Sequence, residues 1–395
     1  MSKYLIDQSA EKYSEKAIAD RRWFHRHAEL SNQEFQTTEY ISRELAELGL
    51  EVIRPAPTGV IGVLHGQRGE GPVVGLRADI DALPIQEENE IPYYSHNPGV
   101  MHACGHDAHA AALLMAARML SENKDALKGT VKFIFQPAEE YFPSGAVALL
   151  ESGKLDDVDS YCGVHVMTSA PVGSVSVQSG AIMAGSCTIK IQVVGKGGHG
   201  GMPHTAVDAT VAGAAILMNL QTYVSRERNP LNATVVSIGT FHSGTAINII
   251  SEKAEMAGTI RYFDPDSLMK TQNSLQRIAE HTAAAFGATA KVEFIPGLEA
   301  TINDDALTIL GRSVCEELWG ASVLTRYEKS HGCDDFCYYG QRKPSLYVFF
   351  GAGNEKKNIV YPHHNPHFEI DESCIVDAAK FYAEFALVHN ERQDL

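Results

Sequence analysis

Apolar positions recur at helical spacing through the first fifty residues. Trp23, Phe24 and His27, then Ile41, Leu45 and Leu48, share one face, and Gly49 is placed as a C-cap, so the pattern predicts helix over 9–50. The period then shortens. Segments 59–65 and 73–78 are apolar runs of strand length, and the second ends in Asp79-Ile80-Asp81-Ala82-Leu83-Pro84. Carboxylates at the end of a strand are informative, because ligands of open α/β sheets gather at that edge. An alanine-rich helix is predicted over 106–120, a buried strand over 131–135, a helix over 145–151 and a strand over 161–166. This alternation predicts an α/β domain with a largely parallel central sheet flanked by helices.

The texture changes near residue 185. Segment 188–194 alternates polar and apolar residues, as a half-exposed strand does, and a helix is expected over 206–224. Strand-like runs at 233–239 and 254–261 and a helix over 267–286 follow. A strand, helix, strand, strand, helix, strand order is an α+β module. Near Pro296 the first texture returns, with a buried strand over 346–351 and a final helix over 373–389. The expected organisation is a discontinuous catalytic domain, 1–184 and 297–395, interrupted by an inserted α+β domain, 185–296.

Length supports more than one core, since 395 residues exceed what a single hydrophobic core usually organises. A formal net charge of −16 argues against nucleic acid or an anionic membrane as partner. The seven cysteines show no framework spacing, and Met1 to Asp7 carries no apolar run of the kind a secretory signal needs. A reducing, cytoplasmic location is therefore expected. The most apolar window, 209–220, is too short to span a bilayer.

The densest chemistry lies in Met101-His102-Ala103-Cys104-Gly105-His106-Asp107-Ala108-His109. Cys104 and His106 are both competent metal ligands, and His102 and His109 are additional candidates. Downstream, Phe133-Ile134-Phe135-Gln136-Pro137-Ala138 leads a buried strand into Glu139-Glu140. Adjacent residues of an extended chain point apart, so the useful division is one carboxylate on a metal and the other on its water, as a general base. His165 lies in an apolar strand, where a histidine is either a satisfied core residue or a ligand. In Tyr361-Pro362-His363-His364-Asn365-Pro366-His367 prolines fix a loop from which only one histidine need bind. The Gly197 to Gly201 run matches neither phosphate-loop nor dinucleotide pattern, and His199 within it is read as a donor to substrate.

Together these segments resemble the dinuclear-metal aminoacylase and carboxypeptidase family, in the branch of hippurate hydrolases, N-acetyl-diaminopimelate deacetylases and auxin-conjugate amidohydrolases. The matching motifs are Arg77-Ala78-Asp79-Ile80-Asp81-Ala82-Leu83-Pro84, Met101 to Asp107, Phe135 to Glu140, Gly197 to His204, Asn248, Gly258-Thr259-Ile260-Arg261 and His364-Asn365-Pro366. The resemblance implies two divalent ions per subunit, Mn²⁺ or Zn²⁺ foremost with Co²⁺ or Ni²⁺ as alternatives. It implies Cys104, His106, Glu140, His165 and His364 as ligands, with Cys104 bridging. Glu139 corresponds to the general base, Asp81 to a supporting residue, and His199 to a histidine that reaches the scissile carbonyl, usually across a dimer interface. Asn248 and Arg261 correspond to substrate-binding positions. The expected reaction is hydrolysis of N-acyl amino acids by a homodimer or higher homo-oligomer. A carboxypeptidase or dipeptidase with the same site, or a non-catalytic metal-binding protein, are the alternatives. The chain departs from the branch at Gly332-Cys333-Asp334-Asp335-Phe336, where Gly-Gly-Glu-Asp-Phe is usual, and at Tyr141-Phe142-Pro143-Ser144, which is expected to narrow the pocket. Cys333 and Cys337 are not expected to bind metal.

Overall fold

The computed structural model describes residues 2–391. It divides into two compact units: one holds the chain up to Gly180, Ile302–Glu328 and everything from Asp335, the other holds Ala181–Thr301 and Lys329–Asp334. The boundaries therefore differ from 184/185 and 296/297. The short excursion over 329–334 carries no periodicity. Backbone pairing binds it to the second unit: Ala184 N–H donates to Ser330 O and Ser330 N–H to Ile182 O, each at 2.9 Å.

The chain opens with helices α1 (Ser2–Arg26) and α2 (Phe35–Glu47). The continuous helix expected over 9–50 is broken at 27–34. There Asn32 adopts a left-handed φ of 64°, and the Glu29 carboxylate accepts from the N–H groups of Gln36 at 3.0 Å and Thr37 at 2.9 Å, starting a new helix. Next come β1 (Glu51–Ile53), β2 (Val60–His65), β3 (Val73–Asp79), α3 (His106–Glu122), β4 (Thr130–Gln136), α4 (Gly145–Glu151), β5 (Ser160–Pro171) and β6 (Val175–Ser176). β7 (Gly180–Met183) leads into the second unit, which contains β8 (Gly185–Val194), β9 (Gly198–His199), α5 (Ala209–Thr222), β10 (Thr234–Ser243), β11 (Ile249–Ile250), β12 (Lys253–Tyr262), α6 (Pro265–Ala285) and β13 (Thr289–Pro296). β14 (Thr301–Asn303) leads back to α7 (Asp305–Trp319), α8 (Cys337–Arg342), β15 (Ser345–Gly353) and α9 (Ser373–Glu391).

The first unit is built on a seven-stranded sheet in the order β1-β2-β4-β3-β5-β15-β6. Its central junctions, β4–β3, β3–β5 and β5–β15, are parallel, and the outer ones are antiparallel. Nearly every residue of β3, β4 and β15 is buried, as strands covered by helices require. α3 is buried continuously from His106 to Leu120 and packs against α1 and α9, its alanines permitting close approach. Leu113, Leu114, Met115 and Leu120 on this helix are fully buried, and each such side chain contributes roughly 1.5–3 kcal/mol. α3 begins where it does because of Gly105. Its φ is 90°, and a Cβ there would lie 2.4 Å from the Val166 methyl. The helix therefore starts flush against β5, at the carboxyl edge of the sheet.

The second unit is a four-stranded antiparallel sheet, β10-β12-β8-β13. Cys187, Ile189, Ile191 and Val193 point from β8 into a core shared with α5 and α6, while Lys190 and Gln192 are exposed on the opposite face.

Candidate active site

Four chain segments of the first unit converge at the carboxyl edge of its parallel sheet. The end of β3 and the residues after it bring Asp79 and Asp81, and the start of α3 brings Cys104 and His106. The turn after β4 brings Glu139 and Glu140, and β5 brings His165. The 361–367 loop adds His364, whose N–H donates to Ala103 O at 2.8 Å.

Two buried histidines, His106 and His165, each have one nitrogen tied down in a way that defines the other. His106 Nδ1 is 2.9 Å from Asp81 O and 3.1 Å from Asp81 Oδ1, so it is the protonated donor. Nε2 is left buried without a hydrogen-bond partner, 3.8 Å from Asp79 Oδ1 and 3.9 Å from Glu139 Oε2. His165 Nδ1 donates to Val166 O at 2.7 Å, which directs its Nε2 at Cys104 Sγ, 3.6 Å away. Burial, then the neighbouring His109 and His363, hold His165 well below the usual histidine range, so it is a neutral imidazole. A carbonyl or carboxylate behind each ring, with the far nitrogen free, is the arrangement metal-ligating histidines use.

Ligand atoms cluster in two groups that share Cys104. Cys104, His106 and His165 form one, and Cys104, Glu140 and His364 form the other, with all atoms of a group within 4.8 Å of one another. A third such group joins His106, Glu139 and Glu140. His364 Nε2 is 3.0 Å from Glu140 Oε1, yet that buried oxygen makes no hydrogen bond of proper geometry. Two such atoms converge on a common point rather than on each other. Burial pushes the Cys104 thiol up, so its thiolate needs a cation beside it. The residues therefore fit divalent metal: a buried imidazole nitrogen of His106 and a buried carboxylate oxygen of Glu140 without hydrogen-bond partners, beside the imidazoles of His165 and His364 and one soft sulfur.

The remaining histidines of these motifs fall out of the set for physical reasons. His109 Nδ1 donates to Asp79 Oδ1 at 2.6 Å and its Nε2 accepts from Val166 N–H at 2.9 Å, so both lone-pair positions are committed, although Asp79, His106 and His109 lie close enough to form a group. His102 is buried and pushed down to about 4 by burial, and it joins no ligand group among the described residues. His363 Nε2 donates to Val166 O at 2.9 Å, and His367 pairs with Glu88 at 3.1 Å. Neither Cys333 nor Cys337 enters such a group among the described residues. Tyr141 and Phe142, after the Glu pair, are exposed.

Behind the cluster lies a supporting frame whose roles the motifs did not reveal. Asp81 Oδ2 accepts from Ser31 Oγ at 2.7 Å and from Glu140 N–H at 3.0 Å, linking the break between α1 and α2 to the Glu pair. Arg77, fully buried in β3, donates to Gln136 Oε1 at 2.9 Å, to Asp79 Oδ2 at 2.7 Å and to Asp335 Oδ1 at 2.6 Å. His106 and Arg77 hold Asp79 well below the usual carboxylate range against the cost of its burial. Asp107 accepts from Arg21 Nε at 2.8 Å and His25 Nδ1 at 2.7 Å, fastening α3 to α1. Arg77, Asp79 and Asp335 all lie inside quoted motifs, but only the tertiary fold shows that they meet.

The other sequence-derived residues belong to the second unit. His199 is exposed on β9, opposite Ile249 of β11, and its Nδ1 accepts from Gly201 N–H at 3.0 Å. Asn248 is exposed beside it, its carbonyl accepting from Gly200 N–H at 2.8 Å. Arg261 is half-buried on β12, in register with Ser186 of β8 and Val235 of β10. Cys333 shares this neighbourhood: burial raises its pKa, the Arg261 charge opposes the rise, and Ser186 bonds its sulfur.

Residues 75–388 match the profile of peptidase family M20/M25/M40. Over 370 residues the chain is 39% identical to the N-acetylcysteine deacetylase of Bacillus subtilis, covering 93% of this chain and 95% of that one. Over 306 residues it is 41% identical to the N-acyl-L-amino acid amidohydrolase of Geobacillus stearothermophilus, covering 77% and 82%. Among solved structures, the Bacillus subtilis YXEP protein, described as a dinuclear metal binding peptidase from the M20 family, is 35% identical with a TM-score of 0.86, covering 96% of this chain and 99% of that one.

Proposed function

The chain belongs to peptidase family M20/M25/M40 and is a metal-dependent hydrolase, and from that premise we propose that it cleaves the amide bond of N-acyl amino acids to a carboxylic acid and a free amino acid. The observation that carries this reading is Glu139. A binding protein needs ligands, but it has no use for a second carboxylate set 3.9 Å from the free nitrogen of His106.

In this reading Cys104, His106, Glu140, His165 and His364 hold two divalent ions, with Cys104 shared. Imidazole, carboxylate and thiolate together suit Zn²⁺, and Mn²⁺, Co²⁺ or Ni²⁺ by availability. Ions held there would supply Lewis acidity to the acyl carbonyl and would lower the pKa of a water molecule toward neutrality. Glu139 is the carboxylate placed to accept a proton from the attacking water and to deliver it to the departing amine, so one carboxylate serves as base and then acid. Asp81 fixes the His106 tautomer and, through Glu140 N–H, the backbone beside the base. Arg261 offers a guanidinium to the α-carboxylate of the amino-acid half, and Asn248 a polar contact to the same half. His199 donates to the carbonyl oxygen as it gains charge. Its exposure suits a role completed by a second subunit, so a homodimer is the proposed assembly. No helix among the described residues is long and apolar enough to cross a membrane. A small-molecule substrate in the cytoplasm accords with the acidic charge and with cysteines that show no framework spacing.

The test is amino-acid release from N-acetyl and N-benzoyl amino acids and from free dipeptides, with Mn²⁺ and then Zn²⁺, beside Glu139→Gln. Turnover of acylated substrates by the wild type alone is the expected result. Faster turnover of dipeptides would make it a dipeptidase, and Glu139→Gln at wild-type rate would remove Glu139 from the mechanism. Light scattering showing a fully active monomer would end the dimer proposal.

A further inference from the structure

Glu34 is a carboxylate that the proposed chemistry leaves unused. It lies in the break between α1 and α2, is fully buried, and immediately precedes the first residue of α2. Its Oε1 accepts from two backbone N–H groups, Asn32 at 2.9 Å and Ala138 at 2.8 Å. Both donors belong to residues with left-handed backbone, φ 64° at Asn32 and 50° at Ala138. Asparagine tolerates that conformation. Alanine adopts it only with strain, because its Cβ crowds the carbonyl oxygen.

Ala138 is the residue before Glu139. The chain must leave β4 sharply here, and its surroundings are built for the bend. Pro137 is pressed between two glycines: a Cβ on Gly59 would lie 2.5 Å from Pro137 Cδ, and one on Gly145 1.8 Å from Pro137 O. Ala138 O accepts from Gly145 N–H at 3.0 Å, which closes the turn from the far side. Glu34 holds it from the near side. Burial, and then the neighbouring Asp81 charge, push Glu34 up to about 7, so keeping a carboxyl here is costly to the fold. Strain and a costly buried acid meeting at one peptide call for a purpose at that peptide.

We propose that Glu34 is a positioning residue for the Glu139–Glu140 pair: by accepting the Ala138 N–H it holds the left-handed turn that aims Glu139 off the end of β4. The inference rests on the reading of Glu139 as the general base. What matters in it is an acceptor at the reach of a glutamate, rather than a charge. A base displaced by about an ångström loses up to about a hundredfold in rate while ground-state binding is little changed.

Glu34→Asp and Glu34→Gln separate reach from charge. Aspartate keeps the charge and withdraws the acceptor by about one C–C bond, about 1.5 Å. Glutamine keeps the reach and loses the charge. The expected result is a kcat fall of about tenfold or more for Glu34→Asp, with KM within about threefold and both ions retained by elemental analysis, and a Glu34→Gln kcat within about threefold of wild type. Adding Ala138→Gly, which removes the cost of positive φ, is expected to recover much of the Glu34→Asp loss. Wild-type kcat in Glu34→Asp overturns the inference. So does an equal fall in Glu34→Gln, a fall accompanied by loss of ions, or a fall matched by the rise in KM. Should Glu34→Asp not fold, Glu34→Gln decides alone, since a kcat below about a third of wild type overturns the claim. Glu139→Gln in the same series keeps the two questions apart. If it retains turnover, the reading of Glu139 fails first. If it is inactive while Glu34→Asp is fully active, only the present inference fails.

Discussion

The two units treat their histidines in opposite ways. In the first, His106, His109 and His165 each have a backbone or carboxylate partner that fixes the tautomer, and the peptide of Val166 alone serves three rings. In the second, the His199 side chain is exposed, and its Nδ1 accepts from Gly201 N–H of its own turn. The sheets differ in the same sense. Central strands of the first unit are buried on both faces, so their ends are held by helices above and below. The second unit's sheet is covered on one face and leaves Lys190 and Gln192 to solvent. Chemistry needing placement to a fraction of an ångström is built where the backbone is over-determined, and recognition that tolerates adjustment is left at the surface.

That contrast can be broken most decisively at the base. Glu139→Gln is expected to lower kcat by about 10²–10⁴-fold while leaving the thermal midpoint nearly unchanged, read by steady-state kinetics beside thermal denaturation. A smaller fall would mean that the buried edge is not where the reaction occurs. Next in size is the frame. Asp335→Ala removes one of the two carboxylates paired with the fully buried Arg77 and is expected to cost about 3 kcal/mol in denaturant unfolding, whereas Lys190→Ala on the exposed sheet should stay within about 0.5 kcal/mol. Equal costs would erase the distinction between the sheets.

A third test uses pH. Burial and the Arg21 charge oppose a proton on His25, but its bonds to Asp107 and Glu87 prevail and raise it from 6.5 to about 9. A folded value above the unfolded one contributes stability that is complete below about pH 6.5 and lost as pH rises through about 9, here up to about 3 kcal/mol. Thermal midpoints of the wild type should fall across that window, and those of His25→Gln should fall less. The smallest effect is expected in the second unit. Arg261→Ala should raise KM for acyl amino acids about tenfold or somewhat more with kcat less affected, as loss of a charged hydrogen bond at a surface does. A pure kcat effect would instead place Arg261 among the groups that act in the transition state.

How much of this could be read beforehand follows the same line. Cys104, His106 and the Glu139–Glu140 pair were visible because each stands in a short run at a predicted element end. The helix break at 27–34 was not, because Trp23 to Leu48 keeps its apolar period across it and the polar stretch Ser31-Asn32-Gln33-Glu34 was absorbed into one long helix. α7 was also missed, though Leu307, Leu310, Val314 and Leu318 recur at helical spacing behind Asp304, whose side chain caps Leu307 N–H at 2.9 Å. The ligand set without His102 and His109 came from the resemblance, whereas the physical reason that occupies His109 is not legible in the sequence, since it depends on Asp79 and Val166 arriving from other strands. The parallel sheet came out as expected at its centre and not at its margins, where β1, β2 and β6 run antiparallel.

The order in which these parts appear along the chain has a consequence for how the protein comes into being. All of 181–301 is contiguous, so most of the second unit can form as soon as it leaves the ribosome. The first unit waits. Its strand β5 finds its parallel neighbour β15 only after the whole insertion has been made, and the face of α3 that packs on α9 waits as long, although α1 precedes it. His364 lies far downstream of Cys104, beyond the whole insertion. A nascent chain therefore displays Cys104 and the apolar sides of α3 well before the partners that cover them exist. Chaperone demand and thiol oxidation during synthesis should concentrate on that interval.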